Sequence, residues 1–338
     1  MSNITLKTLA KSTGYSVTTV SRALKNAPEI NTNTKEKVIK IASLLNYQPN
    51  LDAYRLKMGK TFQICFFLNQ HKQEDVSNYA KHIISGICNY LKNTEYELIV
   101  KPIFRYDNIE AVKEVVERKL ADGIILTHTS LNDERVKYLS EKNFPFVTHG
   151  QTELFIQHPY YDVDNVGFIK KSLIYLKSKR IDEVIFVEPS KKFTYYNLSK
   201  KSFIDNAKKL KLKINHKTNF SLEDSNLTFQ NKIFKVFKNK KNVKGIICGS
   251  DIKSLILLST LGHLGYKVNK DVHIISKGIY SMPKYFYPKI PFFFEDMVEA
   301  GSKLGEFLLK RINGEKVNKL QMIDKIKYFN QEINKWKK

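Results

Sequence analysis

Leu6-Lys7-Thr8-Leu9-Ala10, Gly14-Tyr15-Ser16 and Val17-Thr18-Thr19-Val20-Ser21-Arg22-Ala23-Leu24 decide how the chain begins. Leu6, Leu9 and Ala10 fall on one face of a first helix. Gly14 supplies a tight turn, because a glycine takes positive φ at little cost. Ser16 can cap a second helix by accepting a bond from its free N–H groups. Val20, Ala23 and Leu24 recur inward at helical spacing. Val17, Thr18, Ser21 and Arg22 are left facing outward near the N-terminal end. In a helix-turn-helix that end enters the major groove, so duplex DNA is the first partner the residues name.

A third helix follows. Thr32 or Asn33 can cap it, and Asn33 with Glu36 has capping-box spacing. Val38, Ile41, Ala42 and Leu45 form an apolar stripe that gives the two short helices something to bury. Pro49 ends this helix and Gly59 closes whatever comes after. The segment between them holds about two helical turns, marginal in water unless something packs on it. A three-helix unit with no DNA role is the plainer reading. Charge speaks against it: residues 1–60 carry ten Lys and Arg against three acidic residues, the footprint of a phosphate-binding surface.

The whole chain has 338 residues and a formal net charge of +24, so the part beyond the head is basic too. Lysine is frequent everywhere, and Lys191-Lys192, Lys200-Lys201, Lys208-Lys209 and Lys240-Lys241 read as solvated faces. Cys65, Cys88 and Cys248 are odd in number, far apart and in apolar contexts. They read as small buried hydrophobes in a reducing compartment, neither disulfides nor zinc ligands. No apolar run reaches membrane-span length and the N-terminus is no signal segment, so the expected location is the cytoplasm with no membrane partner.

From Phe62 onward short apolar runs alternate with helical patterns. The expected strands are 63–68, 97–103, 123–127, 146–148, 160–163, 183–187, 244–248, 272–276 and 292–294. Helical periods fall between them at 109–120, 165–176, 198–210, 252–264 and 297–312. Alternation of this kind predicts an α/β body with parallel sheets and covering helices, and nine strands fit two sheets better than one.

The combined pattern resembles the LacI/GalR family of bacterial transcription regulators. The resemblance rests on Thr19-Val20-Ser21-Arg22-Ala23-Leu24, Leu45-Asn46-Tyr47-Gln48-Pro49-Asn50 and Ala53…Leu56…Gly59-Lys60-Thr61, in that order and spacing. It covers nearly the whole chain but weakens in the body. There Asp122-Gly123-Ile124-Ile125, Asp164-Asn165 and Gly249-Ser250-Asp251 look like family landmarks. The run Phe144-Pro145-Phe146-Val147-Thr148-His149-Gly150 looks like a carbohydrate-linked subset that includes α-glucoside regulators.

The resemblance implies three domains. Residues 1–49 form the all-α helix-turn-helix head and 50–60 a hinge helix. Residues 61–338 form a two-lobed, periplasmic-binding-protein-like domain for effector binding and dimerisation. Its N-lobe takes about 61–161 and 293–326, its C-lobe about 162–292 and 327–338, with crossings near 161, 292 and 326. The implied DNA contacts are Thr5, Ser16, Val17, Thr18, Ser21, Arg22, Asn50, Ala53 and Leu56. Arg22 suits bidentate contact with guanine and Val17 an apolar contact such as a thymine methyl. Leu56 looks like an apolar wedge for the minor groove of a central base step, where unstacking is offset by a bent, better-wrapped duplex. A linker leucine under the body is its plainer reading.

Ligands in such folds sit between lobes, at the C-terminal ends of strands. Candidates for effector contact are His128, His149, Asp164, Lys200, Asp251 and Lys277. Each has a plainer reading: His128 and His149 as satisfied loop histidines, Asp164 as a helix cap, Lys277 as a solvent lysine. The chain departs from many sugar-responsive members at Ser199, where they carry Arg, and at Lys277, where many place an acidic residue after the strand, so that an acceptor of sugar hydroxyl bonds has become a donor. If Lys277 lines the cleft, the cleft gains positive charge, and an acidic effector such as a phosphorylated sugar or sugar acid is expected.

The expected protein is a DNA-binding regulator, a repressor, acting as a homodimer on a pseudo-palindromic operator under a sugar-type effector. No catalytic residues, metal ligands or cofactors are expected: no phosphate loop, metal spacing or nucleophile elbow is present. The segment 326–338 is short and lacks heptads, so no coiled-coil tail is expected. The rival readings are a nonspecific DNA-compacting protein, a solute-binding module and an enzyme recruited to DNA by its head.

Overall fold

The computed structural model describes residues 4–48, 51–69, 76–104, 108–215, 218–238, 244–279, 282–325 and 327–329. It divides into two compact units, 1–62 and 63–338.

In the first unit, α1 (Leu6–Thr13), α2 (Val17–Leu24) and α3 (Thr32–Leu44) enclose Leu9, Ala10, Val20, Ala23, Val38 and Ala42. Thr5 caps α1 through Thr8 N–H, and Gly14 ends it at φ 76° with its N–H on the Ala10 carbonyl. Ser16 accepts from Thr19 N–H at 3.1 Å and so starts α2. The third helix is capped one residue earlier than expected. Asn31 has the extended backbone of a cap and accepts from Thr34 N–H at 2.8 Å. Thr32 and Asn33 are already inside the helix, so no capping box forms. The same helix ends before Pro49: Asn46 takes φ 48°, and the N–H of Tyr47 reaches back to the Ala42 carbonyl at 2.8 Å. This left-handed C-terminal cap satisfies carbonyls that the helix leaves open. Pro49 itself, and Asn50 after it, lie outside the described residues.

A fourth helix, α4 (Leu51–Met58), stops at Gly59 with φ 61°. Lys60 N–H bonds the Arg55 carbonyl across that turn. Tyr54 anchors this short helix: its ring stacks on Phe62 at 5.3 Å, and the Lys25 ammonium sits 4.2 Å above it.

Among the described residues the second unit holds two six-stranded sheets. The first is built from β1 (Gln63–Asn69), β2 (Glu97–Ile103), β3 (Gly123–Leu126), β4 (Phe146–His149), β5 (Tyr160–Val163) and β11 (Gln321–Asp324). Its order is β11-β5-β4-β3-β1-β2 and it is parallel throughout. The second is built from β6 (Glu183–Val187), β7 (Lys213–Ile214), β8 (Lys244–Cys248), β9 (Val272–Gly278), β10 (Phe292–Phe294) and β12 (Lys327–Phe329). Its order is β12-β10-β9-β8-β6-β7, with β12 the antiparallel member. The helices are α5 (Val76–Leu91), α6 (Ile109–Glu117), α7 (Glu134–Glu141), α8 (Asn165–Ser178), α9 (Thr194–Lys209), α10 (Asn226–Phe237), α11 (Asp251–His263) and α12 (Met297–Ile312). They cover both faces, which is why strands read as unbroken apolar runs: Ile64 and Phe66 of β1 enter one core, Cys65 and Phe67 another.

The chain passes between lobes after Val163, after Phe294 and between Asp324 and Lys327. The second crossing therefore follows Phe294, because all of Phe292–Phe294 pairs with β9. Helices α5 and α12 meet through glycines. A β-carbon on Gly301 would lie 2.1 Å from the Ile83 carbonyl oxygen, and one on Gly86 2.0 Å from that of Val298. Cys65 and Cys248 are buried free thiols, whereas Cys88 is exposed on α5, contrary to the expectation of burial.

Candidate functional site

In the first unit the outward face of α2 carries Val17, Thr18 and Arg22, all exposed, with Ser21 half-buried. Arg22 approaches Glu29 at 3.6 Å, and both side chains are about half exposed. Such a pair contributes little and yields readily to a stronger partner. Ser16 and Thr5 each cap their own helix. Ala53 and Leu56 are exposed on α4, Leu56 to 85 %. Of the expected DNA contacts only Asn50 falls outside the described residues.

In the second unit a cleft of about 280 Å³ opens between the sheets, at the C-terminal ends of their strands. His128, His149, Asp251 and Lys277 line it. Asp164 and Lys200 do not. Asp164 caps α8, its Oδ1 accepting from Gly167 N–H at 2.7 Å. Gly167 is needed there, since a β-carbon would fall 2.0 Å from Asp164 Oδ2. Lys200 is held by Glu188 in a short ion pair.

Further polar residues in the lining include Asp162 from β5, Asn165 at the start of α8, Ser199 from α9 and Glu295 just after β10. Glu295 links Lys277 and His149 into one network. Lys277 Nζ lies 3.0 Å from Glu295 Oε2 and donates to Asn165 Oδ1 at 2.9 Å. His149 Nδ1 is 2.7 Å from the Tyr79 hydroxyl, and its Nε2 is 3.9 Å from Glu295 Oε1. Burial holds the His149 imidazole below its ordinary pKa, against the pull of Glu295 and Asp162, so it is neutral near pH 7. Burial also pushes Asp162 up, against a 2.9 Å bond from Gln151 Nε2.

This network changes the setting of Lys277. Lys277 does line the cleft, because β9 runs two residues beyond its expected end, through Gly278. Its charge is already matched by Glu295, which the neighbouring strand delivers beside it. Asp162 and Glu295 carried a signal that the linear reading passed over. Each is an acidic residue at or just beyond the C-terminal end of an apolar strand, where ligands of such sheets sit.

Asp251 is placed by Gly278. Its Oδ2 accepts from Ile279 N–H at 3.0 Å, and a β-carbon on Gly278 would fall 1.5 Å from its Oδ1. Gly278→Ala is expected to destabilise the body by about 1–3 kcal/mol, as overpacking does. Gly262→Ala, on α11 with nothing within 4 Å of the new atom, is expected to stabilise it by up to about 1 kcal/mol. Urea unfolding of both variants checks the pair; equal effects would remove the close approach of Gly278 and Asp251.

Across the mouth of the cleft the lobes clasp directly. Thr194 N–H donates to the Thr129 carbonyl at 3.1 Å, and Ser130 and Phe193 form an antiparallel bridge. The His128 ring stands 5.3 Å from Phe193 and 5.4 Å from Tyr79. His128 takes φ 56°, a strained value for a side-chain-bearing residue. Arg135 holds this turn: buried against Asp133 at 2.6 Å, it also donates to the Thr127 and His128 carbonyls at 3.3 and 3.2 Å.

Residues 5–50 match the family described as "Bacterial regulatory proteins, lacI family". The HTH-type transcriptional regulator RegA of Clostridium saccharobutylicum is 25 % identical over 321 residues, 91 % of this chain and 92 % of its own. The chain spans about half the length of several other curated regulators it matches. The lac repressor dimer bound to operator and the anti-inducer ONPF superposes with a TM-score of 0.78, at 14 % identity, over 97 % of this chain and 98 % of that one. The transcriptional regulator CelR–cellobiose complex superposes with a TM-score of 0.69, at 17 % identity, over 96 % and 98 %. At these identities the likeness is one of fold, and it spans head and body together. Residues 5–50 thus match the head of the lacI family of bacterial regulatory proteins, and the chain as a whole shares the fold of the lac repressor and CelR.

Proposed function

We propose that this protein is a sequence-specific repressor of transcription that binds a pseudo-palindromic operator as a homodimer in the cytoplasm. A small carbohydrate effector held between the lobes sets its affinity for that operator. The observation that carries the reading is the pairing of two features in one chain. A capped helix leaves Val17, Thr18 and Arg22 outside its own core, and a polar cleft lies beside three interlobe crossings. A ligand that favours one lobe arrangement shifts the equilibrium by its differential affinity for the two, and no other coupling is required. CelR, the structural neighbour solved with cellobiose, supports a sugar in that cleft. The cleft's use is then regulatory and not catalytic, and neither metal nor cofactor enters the scheme.

The test is fluorescence anisotropy of the intact protein on its selected DNA site, with and without a panel of neutral and acidic mono- and disaccharides. At least one sugar is expected to change affinity about tenfold or more, within the usual range of allosteric coupling. An affinity that no sugar changes would remove the effector reading. A ratio near one between the selected site and unrelated DNA would favour the nonspecific, charge-driven alternative instead.

A further inference from the structure

We infer that the cleft selects an uncharged, hydroxyl-rich ligand and rejects its acidic counterparts, the sugar phosphates and sugar acids; this rests on the effector reading of the cleft. Three carboxylates line the space: Asp162 from the first lobe, Asp251 from the second and Glu295 at the crossing between them. Among the described residues that line it, Lys277 is the one lysine or arginine. Its ammonium is engaged on two sides, by Glu295 at 3.0 Å and Asn165 at 2.9 Å. The lining thus sets three carboxyl groups against one ammonium.

Helix N-termini are the other common welcome for an anion, and three of those beside this cleft already carry negative charge or spend an N–H group within the protein. The start of α8 is capped by the Asp164 carboxylate. At the start of α11, Ser250 accepts from Lys253 N–H and Asp251 adds its own negative charge within the first turn. The first N–H of α9, from Thr194, is turned to the Thr129 carbonyl of the opposite lobe.

The carboxylates fix the ligand's complementary chemistry. An ionised carboxylate only accepts hydrogen bonds, so the ligand must bring donors. Hydroxyls on adjacent ring carbons supply them to acceptors that come from both lobes. His149 Nε2 is buried and makes no hydrogen bond within the described residues, which leaves it for a ligand oxygen or hydroxyl. Phe168 and Phe186 offer apolar walls for the C–H face of a sugar ring. A phosphate or carboxylate in the same place would meet like charge in a desolvated site.

Isothermal titration calorimetry on the intact protein tests this with matched probes: glucose, galactose, maltose and cellobiose against glucuronate, galacturonate, glucose 6-phosphate and galactose 6-phosphate. The acidic member of a pair is expected to bind at least about 100-fold more weakly than its neutral parent, as like-charge juxtaposition implies. Glu295→Gln, which frees the Lys277 charge, is expected to narrow that gap by about tenfold. A uronate or sugar phosphate that binds as tightly as its parent overturns the inference and leaves the carbohydrate reading standing. Binding by no probe of either charge overturns the carbohydrate reading, and this inference with it. The wild-type panel decides the matter even if Glu295→Gln fails to fold.

Discussion

Leu56→Ala is expected to lower affinity for the selected DNA site by about 100-fold while changing affinity for unrelated duplex by less than about threefold. Leu56 is 85 % exposed on α4, so its own unit gains almost nothing from the side chain. That unit is instead anchored through Tyr54, stacked on Phe62 and covered by Lys25. An exposed large apolar group on a basic unit, with no folding role, fits insertion between base pairs. The cost of partly unstacking a step, a few kcal/mol, is offset by the extra surface that a bent duplex wraps. Nonspecific binding rests on phosphate contacts and feels none of this. Anisotropy titrations on both duplexes, at two salt concentrations, read the two affinities. Equal losses on both would remove the wedge role, and a lowered melting temperature of the variant would show that Leu56 serves the fold.

Arg135→Ala is expected to destabilise the body by about 3–5 kcal/mol, the usual consequence of leaving one buried charge without its partner. The guanidinium and the Asp133 carboxylate are both almost fully buried. Burial alone would push Asp133 up, but Arg135 and the N–H groups of Ser130 and Arg135 outweigh it and hold the carboxyl below its ordinary value. A carboxyl depressed in the folded state stabilises above its unfolded pKa, near 4, and that contribution is lost as pH falls through the folded value. Without the Arg135 guanidinium, burial is opposed only by the main-chain N–H groups of residues 130 and 135, so the Asp133 carboxyl rises and the variant's deficit should shrink between pH 7 and pH 5. Urea unfolding of both proteins at both pH values reads this. A deficit below about 1 kcal/mol, or one that grows at pH 5, contradicts the account. The clasp should loosen too, because Arg135 holds the carbonyls of Thr127 and His128, next to the Thr129 that meets Thr194.

What could be read from the linear chain follows the range of the forces involved. The head was legible because its signals are local: Gly14 at the turn, Ser16 at the cap, and apolar spacing within single helices. Even there Asn31 took the cap from Thr32 and Asn33, since one residue of extended backbone decides the choice. In the body the buried strands announced themselves by composition. The strands Lys213–Ile214, Gln321–Asp324 and Lys327–Phe329 did not, being short, partly polar and at sheet edges. The helices at Val76–Leu91, Glu134–Glu141 and Asn226–Phe237 were likewise not placed from the residues.

The cleft shows the same limit more sharply. Strand ends and turns mark His128 and His149, the family resemblance marks Asp251 and Lys277, and the fold brings those four together. The partner of Lys277 is not legible in the linear chain. That counter-charge, Glu295, stands eighteen positions further on and becomes a neighbour only because β9 and β10 pair in parallel, Lys277 opposite Phe293. Asp164 and Lys200 went the other way: a local partner, Gly167 N–H or Glu188, satisfied each of them first.

Whether this chain reads DNA sequence is decided by sequencing the fragments that the intact protein retains from a sheared library of the source genome at moderate salt. Enrichment of a pseudo-palindrome, with half-sites one helical turn or a multiple apart, is the predicted result. Retained fragments that share no sequence, at any salt concentration that permits binding, would contradict it.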